Sequence, residues 1–363
     1  MEKLHEISFF LFLTSLTIQG IYWLYLLKIQ RTSTALNDLS PKVSVIVCLH
    51  NEAQNLPKLI ISLLNQRYSN YNIILVNDRS TDETADIIKN CSSKKITSVN
   101  ITETPANWDH KKHALQTGIN IASGEYLLLT DGDCLPKDTH WVESMIKQTS
   151  NHSSVLGASF YKKEKGILNS FIQFETYYTA HQFLGLASQG IPYMGLGRNL
   201  LYSKSAFEQS NNLHKHKNHR GGDDDILIQP MLNKLNTTYS LETYTVSTPE
   251  KTWTSYFNQK TRHLKSGMIY PLKIKILLFW LLFTHCMVYY TSIFGLFSIH
   301  FRIAILFGLL LRIVFLLFKF DSLAKEVGYP IRKRDIILGD ILFPVYFPIV
   351  GFFSIVLKTV RWK

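Results

Sequence analysis

The sequence predicts an α/β domain built on a parallel sheet and flanked by transmembrane helices. Three observations carry that expectation: β-branched apolar runs alternate with helix-patterned segments through the middle of the chain, a charge-free stretch from Ile7 to Leu27 opens it, and two further apolar regions close it. A bilayer crossing takes roughly 20 apolar residues, so the opening stretch is long enough to span. The 363 residues suffice for one large domain or two modest ones.

Residues 1–30 read as an uncleaved anchor, because the apolar stretch is long, its amino end is only weakly basic and no small-x-small site follows it. Lys28, Arg31 and Lys42 follow this segment, and Lys273 and Lys275 precede the next. The positive-inside rule then turns the middle of an integral membrane protein toward the cytoplasm, with the plasma membrane as the expected location.

Pro41 marks the start of the cytoplasmic domain, expected over residues 41–265. Val43 to Leu49 is a run suited to a strand buried on both faces, and His50-Asn51-Glu52 is the turn after it. Pro57 fits the first turn of a helix whose apolar face is Leu56, Leu59, Ile60, Leu63 and Leu64. Asn72 to Val76 is the second strand, and Asn77-Asp78-Arg79-Ser80-Thr81-Asp82 supplies a turn and a cap before the helix Ala85 to Lys89. A third strand is expected around Ser98 to Thr102 and a helix over Lys111 to Ala122, which Gly124 ends before the strand Tyr126 to Leu129. Alternation of this kind implies a parallel sheet, and right-handed crossovers bring Asn51, Glu52, Asp78 and Asp131 toward one edge.

That fourth strand ends in Asp131-Gly132-Asp133. Paired carboxylates at a strand tip offer hard oxygen ligands to Mg²⁺ or Mn²⁺ at the edge where α/β folds bind nucleotides, although ordinary turns carry the same residues. Gly195-Leu196-Gly197-Arg198-Asn199 lacks the third glycine and the strand–helix context of a dinucleotide loop. The histidines between His214 and Arg220 are interleaved with Lys215 and Lys217, which repel a cation, so a basic loop facing lipid headgroups is expected there rather than a zinc site. Residues 166–186 are aromatic and weakly charged, fitting either a core helix or an interfacial helix lining an acceptor entrance. Cys48, Cys91, Cys134 and Cys286 lack metal-ligand spacing and read as reduced. A net charge of +12 suits anionic headgroups and a nucleotide diphosphate, and no nucleic-acid motif accompanies it.

The C-terminal membrane region, residues 272–363, holds crossings at about 276–297 and 302–318 and a third apolar segment at 336–357. Lys319, Lys325, Arg332, Lys333 and Arg334 place the loop before that segment in the cytoplasm. The basic tail Lys358, Arg361 and Lys363 lies outside if the segment crosses. It stays inside if Pro344 and Pro348 break the segment into a re-entrant hairpin, which the charge favours.

Five ordered pieces resemble the membrane-bound family 2 glycosyltransferases. These are Val45 to Glu52, Val76 to Asp82, Lys111-Lys112-His113-Ala114-Leu115, Asp131-Gly132-Asp133 and Gly222-Asp223-Asp224-Asp225-Ile226-Leu227. A sixth, Gln259-Lys260-Thr261-Arg262-His263, resembles the family's Gln-x-x-Arg-Trp with histidine for tryptophan, which leaves acceptor type and processivity open. The match runs from about Val43 to Arg262. It implies a GT-A (Rossmann-like) nucleotide-diphospho-sugar transferase domain and a single inverting displacement from a nucleotide-sugar donor, UDP-linked, to a lipid or lipid-linked saccharide. By the same resemblance Asp78 contacts the base, Asn51, Glu52, Lys111, Asp131, Gln259 and Arg262 hold the nucleotide, and Asp133 with Asp131 binds the metal. Asp224 is then the general base beside Asp223, while Arg262 neutralises the leaving diphosphate in a fork that lysine does not copy. A processive polysaccharide synthase and a non-catalytic sugar-nucleotide or lipid-binding subunit are the alternatives.

Overall fold

The computed structural model describes residues 2–30, 40–149, 153–210, 212–218, 222, 225–233 and 236–356. Helix α1 (Glu2–Ile21) runs into a π turn at Tyr22–Leu26. Strands β1 (Val43–Leu49), β2 (Tyr71–Asp78), β3 (Ile96–Ile101) and β4 (Tyr126–Asp131) then alternate with α2 (Leu56–Leu64), α3 (Thr84–Lys89) and α4 (His110–Ile121). Next come β5 (Cys134–Pro136), α5 (Trp141–Ile146), β6 (Ser154–Tyr161) and the long α6 (Ile167–Ser188). They are followed by β7 (Leu200–Ser203), α7 (Lys204–Ser210), α8 (Asn212–Lys215), α9 (Asp225–Ile228) and β8 (Thr237–Ser247). Helices α10 (Trp253–Gly267), α11 (Leu272–Gly295), α12 (Arg302–Val327) and α13 (Lys333–Val356) complete the described chain.

Two compact units result: residues 30–162 with 186–248, and residues 1–29 with 163–185 and 249–363. The first is built on a mixed sheet of order β3-β2-β1-β4-β7-β6-β8-β5. Strands β3, β2, β1 and β4 are parallel, as the alternation of strands and helices predicts, and β7 enters antiparallel between β4 and β6. Val43, Val45, Val47 and Leu49 are buried with Leu56, Leu59 and Leu63 of α2, which explains why β1 is apolar on both faces. Each such buried side chain contributes about 1.5–3 kcal/mol. The unit ends at Thr248, short of residue 265.

In the second unit α11, α12, α13 and the segment Glu2–Leu26 are each long and apolar enough to cross a membrane. Helix α13 corrects the favoured hairpin reading of residues 336–357: it is one continuous helix with Pro344 and Pro348 inside it. Proline removes the N–H that would bond the carbonyl four residues earlier, so the prolines orphan the carbonyls of Asp340 and Pro344. Side chains of α11 take up both. His285 Nε2 lies 3.1 Å from the Asp340 carbonyl, and the Tyr290 hydroxyl donates to the Pro344 carbonyl at 2.5 Å. The tail Lys358, Arg361 and Lys363 lies outside the described residues.

A polar knot ties the same helices. Arg312 of α12 forks onto Asp340 of α13 at 2.7 and 3.1 Å, and both are buried. His285 Nε2 stands 3.0 Å from Asp340 Oδ1, Tyr289 donates to Oδ2 at 2.5 Å, and Gln19 of α1 accepts from Arg312 at 3.4 Å. Isolated buried charges cost several kcal/mol, so the full set of partners is what makes these residues tolerable in helices apolar enough to cross a membrane.

Residues 166–186 fall almost wholly on α6, and its aromatic side chains pack among protein neighbours. Phe171, Phe174, Tyr177, Tyr178 and Phe183 are all buried. Phe174 stacks on Phe320 at 5.3 Å, and Tyr178 meets Phe343 at 4.6 Å. Gly339 is obligatory at that crossing, because a Cβ there would fall 2.1 Å from Phe174 Cβ.

Candidate active site

Strands β1, β2 and β4 lie side by side, with Leu49 opposite Asn77 and Cys48 opposite Asp131, so their carboxyl ends share one edge. Asn51 and Arg79, just past two of those ends, are both left-handed, at φ 58° and 53°. Such a conformation is unfavourable for a bulky side chain, and a web of hydrogen bonds holds it. Asn51 N–H donates to Ser80 Oγ at 3.0 Å, and Asn51 Oδ1 accepts from Thr81 N–H at 2.7 Å. Glu52 N–H donates to Thr84 Oγ1 at 2.8 Å, and His50 Nδ1 stands 2.6 Å from the Asp78 carbonyl. The first two turns therefore brace each other.

Asp78 is buried and received in a fork by Arg79, Nε to Oδ1 at 2.8 Å and Nη2 to Oδ2 at 3.1 Å. The hydrogen bond to Asp78 raises the Arg79 pKa, so the guanidinium stays charged throughout the physiological range. The carboxylate is thus fixed in orientation at the end of β2.

At the end of β4, Asp131 Oδ1 pairs with Lys111 Nζ at 3.0 Å. Asp133 Oδ1 accepts from the Cys134 thiol at 3.4 Å and Oδ2 from the Ser247 hydroxyl at 2.5 Å. Gly132 is required between them: a Cβ would fall 2.7 Å from Leu49 Cδ2 and 2.8 Å from Glu52 Cγ. That close approach sets Glu52 against the acid pair. Ligand atoms of Asp131, Asp133 and Cys134 lie within 4.8 Å of one another. Burial first, and then the charges of Asp133 and Asp131, push the Cys134 pKa well above the ordinary thiol value. In the absence of a cation it is a thiol. The two carboxylates are the hard donors of the group, and they fit an ion such as Mg²⁺ or Mn²⁺.

Asn51, Glu52, Asp78, Lys111, Asp131 and Asp133 are therefore brought to one edge. Gln259 and Arg262 lie on α10, in the helical unit. Asp223 and Asp224 lie outside the described residues, and Asp225 begins α9. Lys112 is buried and donates to the His216 carbonyl at 3.0 Å, which gives it a structural role. Trp108 meets His113 and His214 edge-on at 5.7 and 5.5 Å, an aromatic packing beneath the basic segment.

Three residues at this edge escape reading from sequence: Ser247, Tyr161 and Arg198. Arg198 sits in the turn before β7, its guanidinium 4.5 Å over the Tyr161 ring. Burial opposes its charge, but Tyr161, Cys134, Asp133 and Asp131 around it outweigh that and raise its pKa. The only signal was the discounted Gly-Leu-Gly-Arg-Asn segment.

Residues 44–210 match the family described as Glycosyl transferase family 2. An uncharacterized glycosyltransferase of Haemophilus influenzae is 33% identical over 135 residues, 36% of this chain and 41% of the relative. Glycosyltransferase AglE of Haloferax volcanii is 32% identical over 112 residues, 30% of this chain and 36% of the relative. The chain thus spans less than half the length of these curated relatives. Mannosyltransferase PcManGT of Pyrobaculum calidifontis, solved in complex with GDP-Man and Mn²⁺, superposes over 94% of this chain and 98% of its own, with TM-score 0.59 and 16% identity. At that identity the likeness is one of fold.

Proposed function

We propose that the chain, whose residues 44–210 match the family described as Glycosyl transferase family 2, is a membrane-bound inverting glycosyltransferase. It moves a sugar from a UDP-linked donor to a hydroxyl of a lipid or lipid-linked saccharide at the cytoplasmic face. The observation that carries this reading is the shared edge, where Asp131 and Asp133 stand beside the ends of β1 and β2. Among the described residues, four helices long and apolar enough to cross a membrane support a membrane-borne acceptor.

Asp131 and Asp133 would hold Mg²⁺ or Mn²⁺, which supplies positive charge to the diphosphate as it leaves. Asp78, oriented by Arg79, presents its carboxylate to an N–H of the base. Asn51 and Glu52 shape the nucleotide floor from turns that are braced before a ligand arrives, so little order has to be gained on binding. Lys111 adds charge next to Asp131. Asp224 takes the proton of the attacking hydroxyl, a service worth about 10² to 10⁴ in rate, or about 3 to 5 kcal/mol. Asp223 and Asp225 flank it in sequence.

The test is transfer itself: labelled nucleotide sugars are incubated with the purified protein and native membrane lipids, and the product is identified by mass spectrometry. A lipid-soluble labelled product is expected from a UDP-sugar, and Asp224→Asn is expected to abolish it while UDP still binds. Absence of transfer from every nucleotide sugar, by a protein that is folded, would sink the assignment.

A further inference from the structure

Arg198 has a neighbourhood that its structural duties do not explain. Its turn is pinned without any help from its own side chain. Asn199 Nδ2 donates to the Ala158 carbonyl at 2.8 Å, Trp141 Nε1 donates to Asn199 Oδ1 at 2.9 Å, and Gly157 N–H donates to the Asn199 carbonyl at 2.9 Å. Thr245 Oγ1 donates to the Arg198 carbonyl at 2.9 Å. The guanidinium rests over Tyr161, yet Nη1 is buried with no hydrogen-bond acceptor among the described residues. Leaving a donor of a charged group buried and unmet is costly. The nearby acids are already engaged: Asp133 with Cys134 and Ser247, and Asp131 with Lys111. A stacked arginine on a pinned turn, with a guanidinium N–H left unmet, is suited to planar oxyanion recognition.

Position along the edge says which oxyanion. The strand order β2-β1-β4-β7-β6 sets Asp78 at the end of β2, Asp131 at the end of β4, and Arg198 just before β7, on the side of Asp131 away from Asp78. With neighbouring strands about 4.8 Å apart, a nucleotide sugar whose base lies at Asp78 and whose diphosphate lies at Asp131 extends its sugar-linked phosphate toward Arg198. Charge agrees. A divalent ion, where bound, would offset the charges of Asp131 and Asp133, leaving Lys111 and Arg198 as cations of this unit available to a diphosphate.

Resting on the glycosyltransferase reading above, we propose that Arg198 is a donor-binding residue that grips the distal, sugar-linked phosphate of the nucleotide sugar. It thereby holds the leaving diphosphate from the side of the edge opposite the base.

The experiment measures calorimetric affinities of UMP and UDP with Mn²⁺ for the full-length protein in detergent, with GMP and GDP alongside, for the native chain, Arg198→Gln and Arg198→Lys. The native chain is expected to bind the diphosphate more tightly than the monophosphate. Arg198→Gln is expected to lose about tenfold or more in UDP affinity, the scale of a hydrogen bond between charged groups, with UMP affinity unchanged. Arg198→Lys, which keeps the charge without the fork, is expected to fall between. Equal losses on UMP and UDP would assign Arg198 a merely structural role and overturn the proposal, as would unaltered UDP affinity. If the glutamine variant does not fold, the lysine variant decides: UDP affinity equal to that of the native chain overturns it. If the native chain binds none of the four nucleotides, the glycosyltransferase reading itself falls and takes this one with it.

Discussion

Asp133 shows how a single side chain is oriented in advance of any ligand, because Cys134 and Ser247 each direct one hydrogen bond at it and so fix the carboxylate plane. Asp133→Ala is expected to abolish Mn²⁺-dependent UDP binding in calorimetry while the thermal transition of the domain persists. Cys134 should behave as an inert thiol, since burial holds its pKa high. Maleimide at neutral pH is therefore expected to spare it while labelling the half-buried Cys48 and Cys91, read out by peptide mass mapping. His113 carries the opposite kind of shift. Burial pulls its pKa below the ordinary histidine value, with Asp78 opposing more weakly. The folded chain then resists protonation that the unfolded chain accepts at about pH 6.5. The unfolded state binds more protons there, so stability is full above that pH and is lost as pH falls toward the depressed folded value. His113→Gln should flatten this slope in melting curves recorded between neutral and acidic pH.

At the scale of elements, α13 persists through two prolines because α11 supplies the missing donors. Tyr290→Phe removes the donor to the Pro344 carbonyl and is expected to cost about 1–3 kcal/mol in detergent unfolding. Adding Pro348→Ala should restore that loss, since alanine brings back the N–H that reaches the carbonyl four residues earlier. No rescue would mean that Tyr290 acts otherwise. The same example explains what was legible in the sequence. Strands β1, β2 and β4 and the acids at their tips were readable, because apolar runs and the turns after them are encoded within a few residues. The fate of Pro344 was not, because its partner Tyr290 is 54 residues away. Arg198, Tyr161 and Ser247 were hidden for a related reason: β7, β6 and β8 deliver them to the edge through pairings of distant segments, and Gly-Leu-Gly-Arg-Asn has no local pattern that announces a site. Helix α6 has apolar and aromatic residues all round, and such a helix is built for burial. Its composition alone does not distinguish protein neighbours from lipid.

For the whole molecule, the Arg312–Asp340 pair is the joint on which the helical unit depends. Asp340→Ala leaves a buried guanidinium without its counter-charge, and a loss of about 3–5 kcal/mol is expected in unfolding experiments. Replacing both, Arg312→Met with Asp340→Leu, should recover most of it, because a well-packed apolar pair is often as stable as a buried ion pair. The proposed orientation is checked by single cysteines in intact cells. Ile299→Cys, at an exposed turn between α11 and α12, should react with an impermeant reagent, and Lys325→Cys, near the end of α12, only after permeabilisation. The order of the helices along the chain carries one more consequence. Arg312 emerges from the ribosome 28 residues ahead of Asp340, so during synthesis a positive charge enters the translocon before the acid that will neutralise it exists. Nascent chains that stop after α12 should accordingly be held by the insertion machinery or handed to quality-control proteases, and arrival of α13 is expected to relieve that retention.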